Sequence, residues 1–177
     1  SMNNPKSILI FNRKNFEWMN THLVPLMRKK FESKYSILTN NRENEFIKTI
    51  KIQKGDNCLL LQELEAEAHN QPNDKNLIFK NARMYEEKYN ITYMRDSFMQ
   101  DRNIALKYID SFKKNPGSSG IKPILENITK EQNFYFQYFE DYFKEKSIDL
   151  VISRPDSIIQ FAIVTIAQDQ GIPVTFQ

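Results

Sequence analysis

DLVISRPDSIIQFAIVTIAQDQGIPVTFQ, residues 149–177, decides the fold. Residues 149–153 alternate into an apolar, β-rich run. Residues 157–170 have the length and composition of a buried helix, and Gly171 followed by Pro173 stops that helix before a new β run begins. A strand, a helix and a strand in about thirty residues is the period of a parallel βαβ unit. A parallel strand inside a sheet is normally covered by helices on both faces. A sequence that closes on such a strand is therefore expected to be a fragment, residues 1–177 forming a single domain, the first of something larger.

Working outward, the N-terminus repeats this logic. Ser7 to Phe11 (SILIF) is a continuous apolar run of strand length, closed by Asn12, Arg13 and Lys14, and reads as a central strand. A helix is expected over 16–31, with Trp18, Leu23, Leu26 and Met27 for its inner face and Pro25 to kink or divide it. Residues 35–39 return as the next strand before the polar turn Asn40-Asn41-Arg42. Residues 45–52 and 57–61 are ambiguous, since FIKTIKI alternates like a strand while CLLLQELEAEA, from Cys58, reads as a strand running into a helix. The polar segment 69–76, with Pro72, is expected to be a loop. Helices are expected over 77–89, 98–113 and 124–146, the last two joined by a flexible linker at 115–120. In the last helix Leu125, Ile128, Phe136, Phe139 and Phe143 share one face. Phe134, Tyr138 and Tyr142 form a second stripe, either more core or a partner surface. Together these elements predict an α/β, Rossmann-like, mainly parallel open sheet with helices on both faces and a helical insertion between 77 and 146.

With 177 residues, the chain is long enough for one domain to bury its own core. The net charge of +3 is spread over mixed-sign segments. The basic runs Arg28-Lys29-Lys30 and Lys113-Lys114 are short and read as solvated surface, so no nucleic-acid partner is expected. The single Cys58 excludes an internal disulfide and has no metal-ligand spacing with His22 or His69, so no metal is expected. No run reaches the roughly 18 apolar residues of a membrane span. Ser1-Met2 resembles a tag remnant with no signal peptide after it, which predicts a cytoplasmic location. On that expectation the glycosylation patterns at Asn90 and Asn127 are chance.

The sequence has no Gly-rich phosphate loop, no nucleophile elbow and no Cys/His cluster, and its four glycines leave few points where backbone meets pyrophosphate closely. Position supplies the candidates instead, because ligands of open parallel sheets bind beyond the carboxyl ends of the strands. Those ends carry Asn12 and Arg13, then Asn40 to Arg42, then Ser153, Arg154, Asp156 and Ser157. Guanidinium forks at Arg13 and Arg154 suit phosphate, carboxylate or sugar hydroxyls. Asp156 and Ser157 are better read as the cap of the helix that starts there, and Pro155 fixes the turn. Arg95, Asp96, Asp101 and Arg102 form either ordinary exposed ion pairs or a site, with Asp101 as general base and Arg102 as anion clamp. His69 reads as an exposed surface residue.

Tyr85-Glu86-Glu87-Lys88-Tyr89, Gln100-Asp101-Arg102-Asn103, the helix from Phe134 to Phe143 ahead of Asp149-Leu150-Val151-Ile152-Ser153, and Ala167 with Gly171-Ile172-Pro173-Val174 together resemble the N-terminal half of bacterial capsule or surface-polysaccharide biosynthesis proteins of glycosyltransferase type B architecture. The resemblance covers about the last hundred residues. It implies two Rossmann-like domains, the first recognising the acceptor and often supplying the base, the second holding a nucleotide-sugar donor. On that implication the chain is the acceptor-binding domain of a glycosyltransferase-like protein. It would take a saccharide or lipid-linked glycan acceptor, hold no cofactor of its own, be inactive alone, and lie in the cytoplasm or at the inner face of the membrane. Asp101 and Asp156 are then the candidate catalytic residues, and Asn12, Arg13, Arg102, Arg154 and Ser157 the candidate substrate-binding residues. The alternatives are a non-catalytic binding or homodimerisation module that uses the aromatic helix 124–146, and the first half of a sugar-nucleotide epimerase.

Overall fold

Ser7–Phe11 (β1) is buried at every position after the first because both of its faces are covered. The structure, a computed structural model, describes residues 4–12, 17–40, 45–114 and 121–176. In it β1 pairs in parallel with Lys34–Thr39 (β2) on one side and with Leu150–Ile152 (β4) on the other. Asn57–Leu60 (β3) extends the sheet beyond β2, and Val174–Thr175 (β5) extends it beyond β4. The five strands lie in the order β3-β2-β1-β4-β5, all parallel. This is a Rossmann-like α/β sheet whose order reverses between β1 and β4.

Alternation along the strands sorts the core into two layers. Ile8, Ile10, Tyr35, Ile37 and Ile152 face the helices Glu17–Phe31 (α1) and Glu45–Ile50 (α2), where they meet Val24, Met27, Ile47 and Ile50. Leu9, Phe11, Leu38 and Val151 face the opposite layer. That layer is made of Leu61–His69 (α3), Lys75–Tyr89 (α4), Ile121–Lys146 (α6) and Ile158–Asp169 (α7). A single π turn at Met94–Phe98 and the helix Arg102–Lys114 (α5) complete the long crossover from β3 to β4. No helix among the described residues is long and apolar enough to cross a membrane.

The ambiguous FIKTIKI segment is helical up to Ile50, with Lys51 and Ile52 beyond the helix. Its Ile47 and Ile50, three apart, are the buried pair, and a parallel β2–β3 connection needs a crossover of this kind. Pro25 does not divide α1, and it lies on the exposed side of that helix. The inward place expected of Leu26 belongs to Val24, which shares a face with Asn20 and Met27, and Leu26 is 66% exposed. The Trp18 side chain and the linker at 115–120 lie outside the described residues. The loop expected at 69–76 is shorter at both ends, because α3 runs to His69 and α4 begins at Lys75, where the Asp74 carboxylate accepts from Leu77 N at 3.2 Å.

The aromatic helix α6 turns both of its stripes into the domain. Phe136 is fully buried and stacks with Tyr85, Tyr89 and Tyr93 at centroid distances of 5.2, 5.1 and 5.8 Å. Tyr142, from the second stripe, is buried and donates its hydroxyl proton to Ser36 Oγ on β2 at 2.7 Å. Phe134 and Tyr138 are half-buried against the same core. Of the segment 85–89, Tyr85 and Tyr89 likewise lie on the inner face of α4, packed on α6, while Glu87 and Lys88 are exposed.

Arg28 is not the solvated residue its basic run predicted. Its guanidinium grips Asp56 through two contacts, Nη2 to Oδ2 at 2.6 Å and Nη1 to Oδ1 at 3.3 Å, and stacks over the Tyr35 ring at 4.7 Å. Asp56 also accepts from the amides of Tyr35 and Gln53. This buried pair closes the amino-terminal edge of the sheet.

Candidate functional site

The carboxyl ends of β1, β3 and β4 open into a cleft of about 1000 Å³. Its floor is apolar, formed by Phe11, Leu61, Ile104, Ile128, Ile158 and Ile159. One wall comes from α3 and α6 and carries Glu65, His69, Asn127, Glu131 and Tyr135. The other comes from the turns that lead into α5 and α7 and carries Gln100, Asp101, Arg102, Asn103, Arg154, Asp156, Ser157 and Gln160. A bed of aliphatic groups ringed by amides, carboxylates and guanidinium forks is the composition of a site for a polar, hydroxyl-bearing molecule.

Of the residues singled out in the sequence, Asp101, Arg102, Arg154, Asp156 and Ser157 all line this cleft. Arg13, Asn41 and Arg42 lie outside the described residues. Asn12 is not part of the lining. Only 2% exposed, it ties the end of β1 to its neighbours: its amide N–H donates to Leu38 O at 2.8 Å, its Nδ2 donates to Thr39 Oγ1 at 3.3 Å, and its Oδ1 accepts from Asn20 Nδ2 at 3.0 Å. Asn12 thus holds β1, β2 and α1 together and faces away from the cleft.

Asp101 is a cap with two helices to serve. Its Oδ1 accepts from the amides of Asn103 and Ile104 at 2.9 and 3.2 Å, as an N-cap of α5 does. Its Oδ2 accepts from Ile158 N, the first amide of α7, at 3.1 Å. At 6% exposure it is held by backbone donors and makes no ion pair with Arg102. Ser157 caps α7, accepting from Gln160 N at 3.3 Å and donating to Gln160 Oε1 at 2.9 Å. Asp156, which precedes the cap, is exposed at the rim. The Arg95–Asp96 pair is an ordinary exposed one, at 3.0 Å through both nitrogens. The Arg95 guanidinium, and then the Thr92 amide, hold the Asp96 carboxyl below its usual range.

No protein-family model, curated protein or solved structure matches this chain.

Apart from His69, which the sequence placed at the surface, the wall from α3 and α6 went unread, although its spacing carried a signal. Glu65 and His69 stand four apart on α3, and Asn127, Glu131 and Tyr135 stand four apart on α6, so each set shares a helix face. His69 is the last residue of α3 rather than a loop residue, and its Nδ1 lies 3.7 Å from Glu131 Oε1. The buried Lys130 fixes that end of α3, donating to His69 O at 2.7 Å and to Asn73 Oδ1 at 2.8 Å. Tyr135 is only 2% exposed. Burial first, then the Glu131 and Glu65 charges, raise its phenol, so it meets the cleft as a neutral hydroxyl.

Gln132, also unread, holds the two walls in register. Fully buried on α6, it accepts from Ser97 Oγ at 2.6 Å and donates to Ile158 O at 2.8 Å. One amide side chain thus joins the π turn, α6 and the start of α7.

Proposed function

We propose that the chain is the acceptor-binding domain of a glycosyltransferase-like protein of cell-surface polysaccharide synthesis, and that the cleft beyond β1, β3 and β4 receives the saccharide end of the acceptor. The carrying observation is that cleft: about 1000 Å³ over an aliphatic floor, with Arg102, Arg154, Asp156, His69, Glu131 and Tyr135 around it. Sugars present apolar ring faces and rings of hydroxyls, and this pairing of floor and rim matches both. Its place at the sheet's reversal point, where open α/β sheets hold ligands, supports the same reading.

In this reading Arg102 and Arg154 bind hydroxyl or carboxylate groups of the acceptor through their guanidinium forks. Asp156, Glu65 and His69 are exposed proton acceptors around the cleft, each able to take the proton of an attacking hydroxyl. Asp101 orients the two helix starts from which Arg102 and Ser157 project, so its role is positioning. The nucleotide-sugar donor belongs to a second domain, and transfer belongs to the two domains together.

The direct test is binding. Isothermal titration or saturation-transfer NMR of this chain against a panel of mono- and oligosaccharides should find a ligand in the millimolar range or tighter. Arg102→Ala and Arg154→Ala should each weaken it about tenfold, a difference of about 1.4 kcal/mol. Absence of any saccharide ligand, or binding indifferent to both replacements, would refute the assignment.

A further inference from the structure

At the point where the strand order reverses, α7 starts directly beyond β4 and turns its first amides toward the cleft. A helix start in that position is an anion seat: its N–H groups lack helical partners and the dipole favours negative charge. Here the chain itself occupies two of the seat's donors. Asp101 Oδ2 accepts from Ile158 N at 3.1 Å while Oδ1 accepts from Asn103 N and Ile104 N. One buried carboxylate therefore bridges the first turns of two helices. Ser157 Oγ takes the Gln160 amide in the same turn. The turn at 153–157 contains no glycine, so no stretch of bare backbone remains there for a diphosphate to approach.

We propose that Asp101 is a resident anion and the specificity-determining residue of the cleft. By occupying the seat at the start of α7 it excludes phosphate and carboxylate groups from this corner and reserves it for the uncharged, hydroxylated end of a ligand. A second anion would have to displace Asp101 from Ile158 N or Ser157 from Gln160 N, or settle for Ile159 N beside a like charge. Arg102 and Arg154 stand at the rim and attract polar groups to the mouth, but the inner corner takes only neutral ones. The exclusion follows from the geometry alone. That the neutral ligand is a saccharide rests on the function proposed above.

An ordinary N-cap would show the first two of these hydrogen bonds. The third, to a helix 57 residues away, is what marks Asp101 out. The test therefore keeps the cap and removes the charge. Asp101→Ser retains a good capping residue for α5 but is too short to reach Ile158 N. Asp101→Asn keeps the shape and lowers the charge. Wild type and both variants, each checked for folding by circular dichroism, are titrated with inorganic pyrophosphate by calorimetry and by amide NMR.

Wild type is expected to show no saturable shift of the Ile158 amide at millimolar pyrophosphate. Asp101→Ser should bind it at least about tenfold more tightly, with the Ile158 and Asn103 amides moving together, and Asp101→Asn should gain in the same direction by less. A cap with no role in selection would change stability and leave pyrophosphate affinity where it was. Equal affinity in all three proteins overturns the proposal, and so does a saturable Ile158 shift in wild type, a measurement that needs no variant to fold. A gain in Asp101→Ser with no saccharide ligand for wild type would remove the saccharide reading and leave the anion seat standing. Saccharide binding without that gain would do the reverse.

Discussion

Asp56 is a carboxylate whose side chain is shut off from water, and Arg28, 11% exposed, is its counter-charge. Removing one member of such a pair strands the other in a medium that solvates it poorly, whereas removing both restores most of the loss. Arg28→Met should therefore cost about 3 kcal/mol, and Arg28→Met with Asp56→Asn should cost less than the sum of the two single replacements. Urea unfolding reads this as a fall in midpoint at constant slope, and additive losses would show that the two side chains act independently. Nothing in the run Arg28-Lys29-Lys30 distinguishes its first member, because the distinction comes from β3 packing beside β2. Asp101 and Asn12 teach the same lesson. Asn12, as a polar residue beside a strand end, and Asp101, within the charged segment 95–102, were legible as candidates. Which hydrogen bonds they make depends on Ile158 in one case and on Thr39 and Asn20 in the other.

Helix α6 shows what element-level reading gains and misses. Its apolar face was plain from spacing alone, and the structure buries Ile128, Phe136, Phe139 and Phe143 on it. Its second stripe was not decidable, because helical periodicity gives the side of a helix and not the neighbour that covers it. Ser36 on β2 and the half-buried packing of Phe134 and Tyr138 supply that answer. The stripe Asn127, Glu131 and Tyr135 went unread because a polar set at helical spacing usually faces solvent, and only α3 opposite turns it into a wall. If α6 serves as core and not as a docking face, replacements along it should rank by burial. Phe136→Ala, which empties the centre of a four-ring stack, should lose about 3–5 kcal/mol, and Tyr138→Ser about 1 kcal/mol. Both proteins should keep the wild-type mass by light scattering. Comparable losses at the two positions, or a change of mass at Tyr138, would return α6 to the role of a partner surface.

At the scale of the whole molecule, a mainly parallel sheet with helices on both faces was legible because β1, β4 and α7 are continuous apolar runs, which in this class mean burial on both faces. The cleft was legible only as a position, since α3, α5 and α6 reach it through one crossover that no local pattern orders in space. That same crossover gathers most of the phenols into a single layer, and it fixes how the fold responds to alkali. Burial is the leading cause that pushes Tyr35, Tyr85 and Tyr142 up to about 12 from an ordinary value of 10.0, and it raises Tyr89, Tyr93, Tyr135 and Tyr138 as well. The sign follows from linkage: below pH 10 the phenols are protonated in the folded and unfolded chains alike and stability is full. Above it the unfolded chain releases protons that the fold retains, so stability falls as pH rises from about 10 through about 12, by about 1.4 kcal/mol per pH unit for each such tyrosine. Phenolate absorbance and far-ultraviolet circular dichroism, followed together through this window, should change in one cooperative step, with the absorbance lagging behind that of the urea-unfolded protein. Phenols that titrate near pH 10 while the dichroism stays native would mean that the layer under α6 is open to water, and the packing assigned to that helix would fall with it.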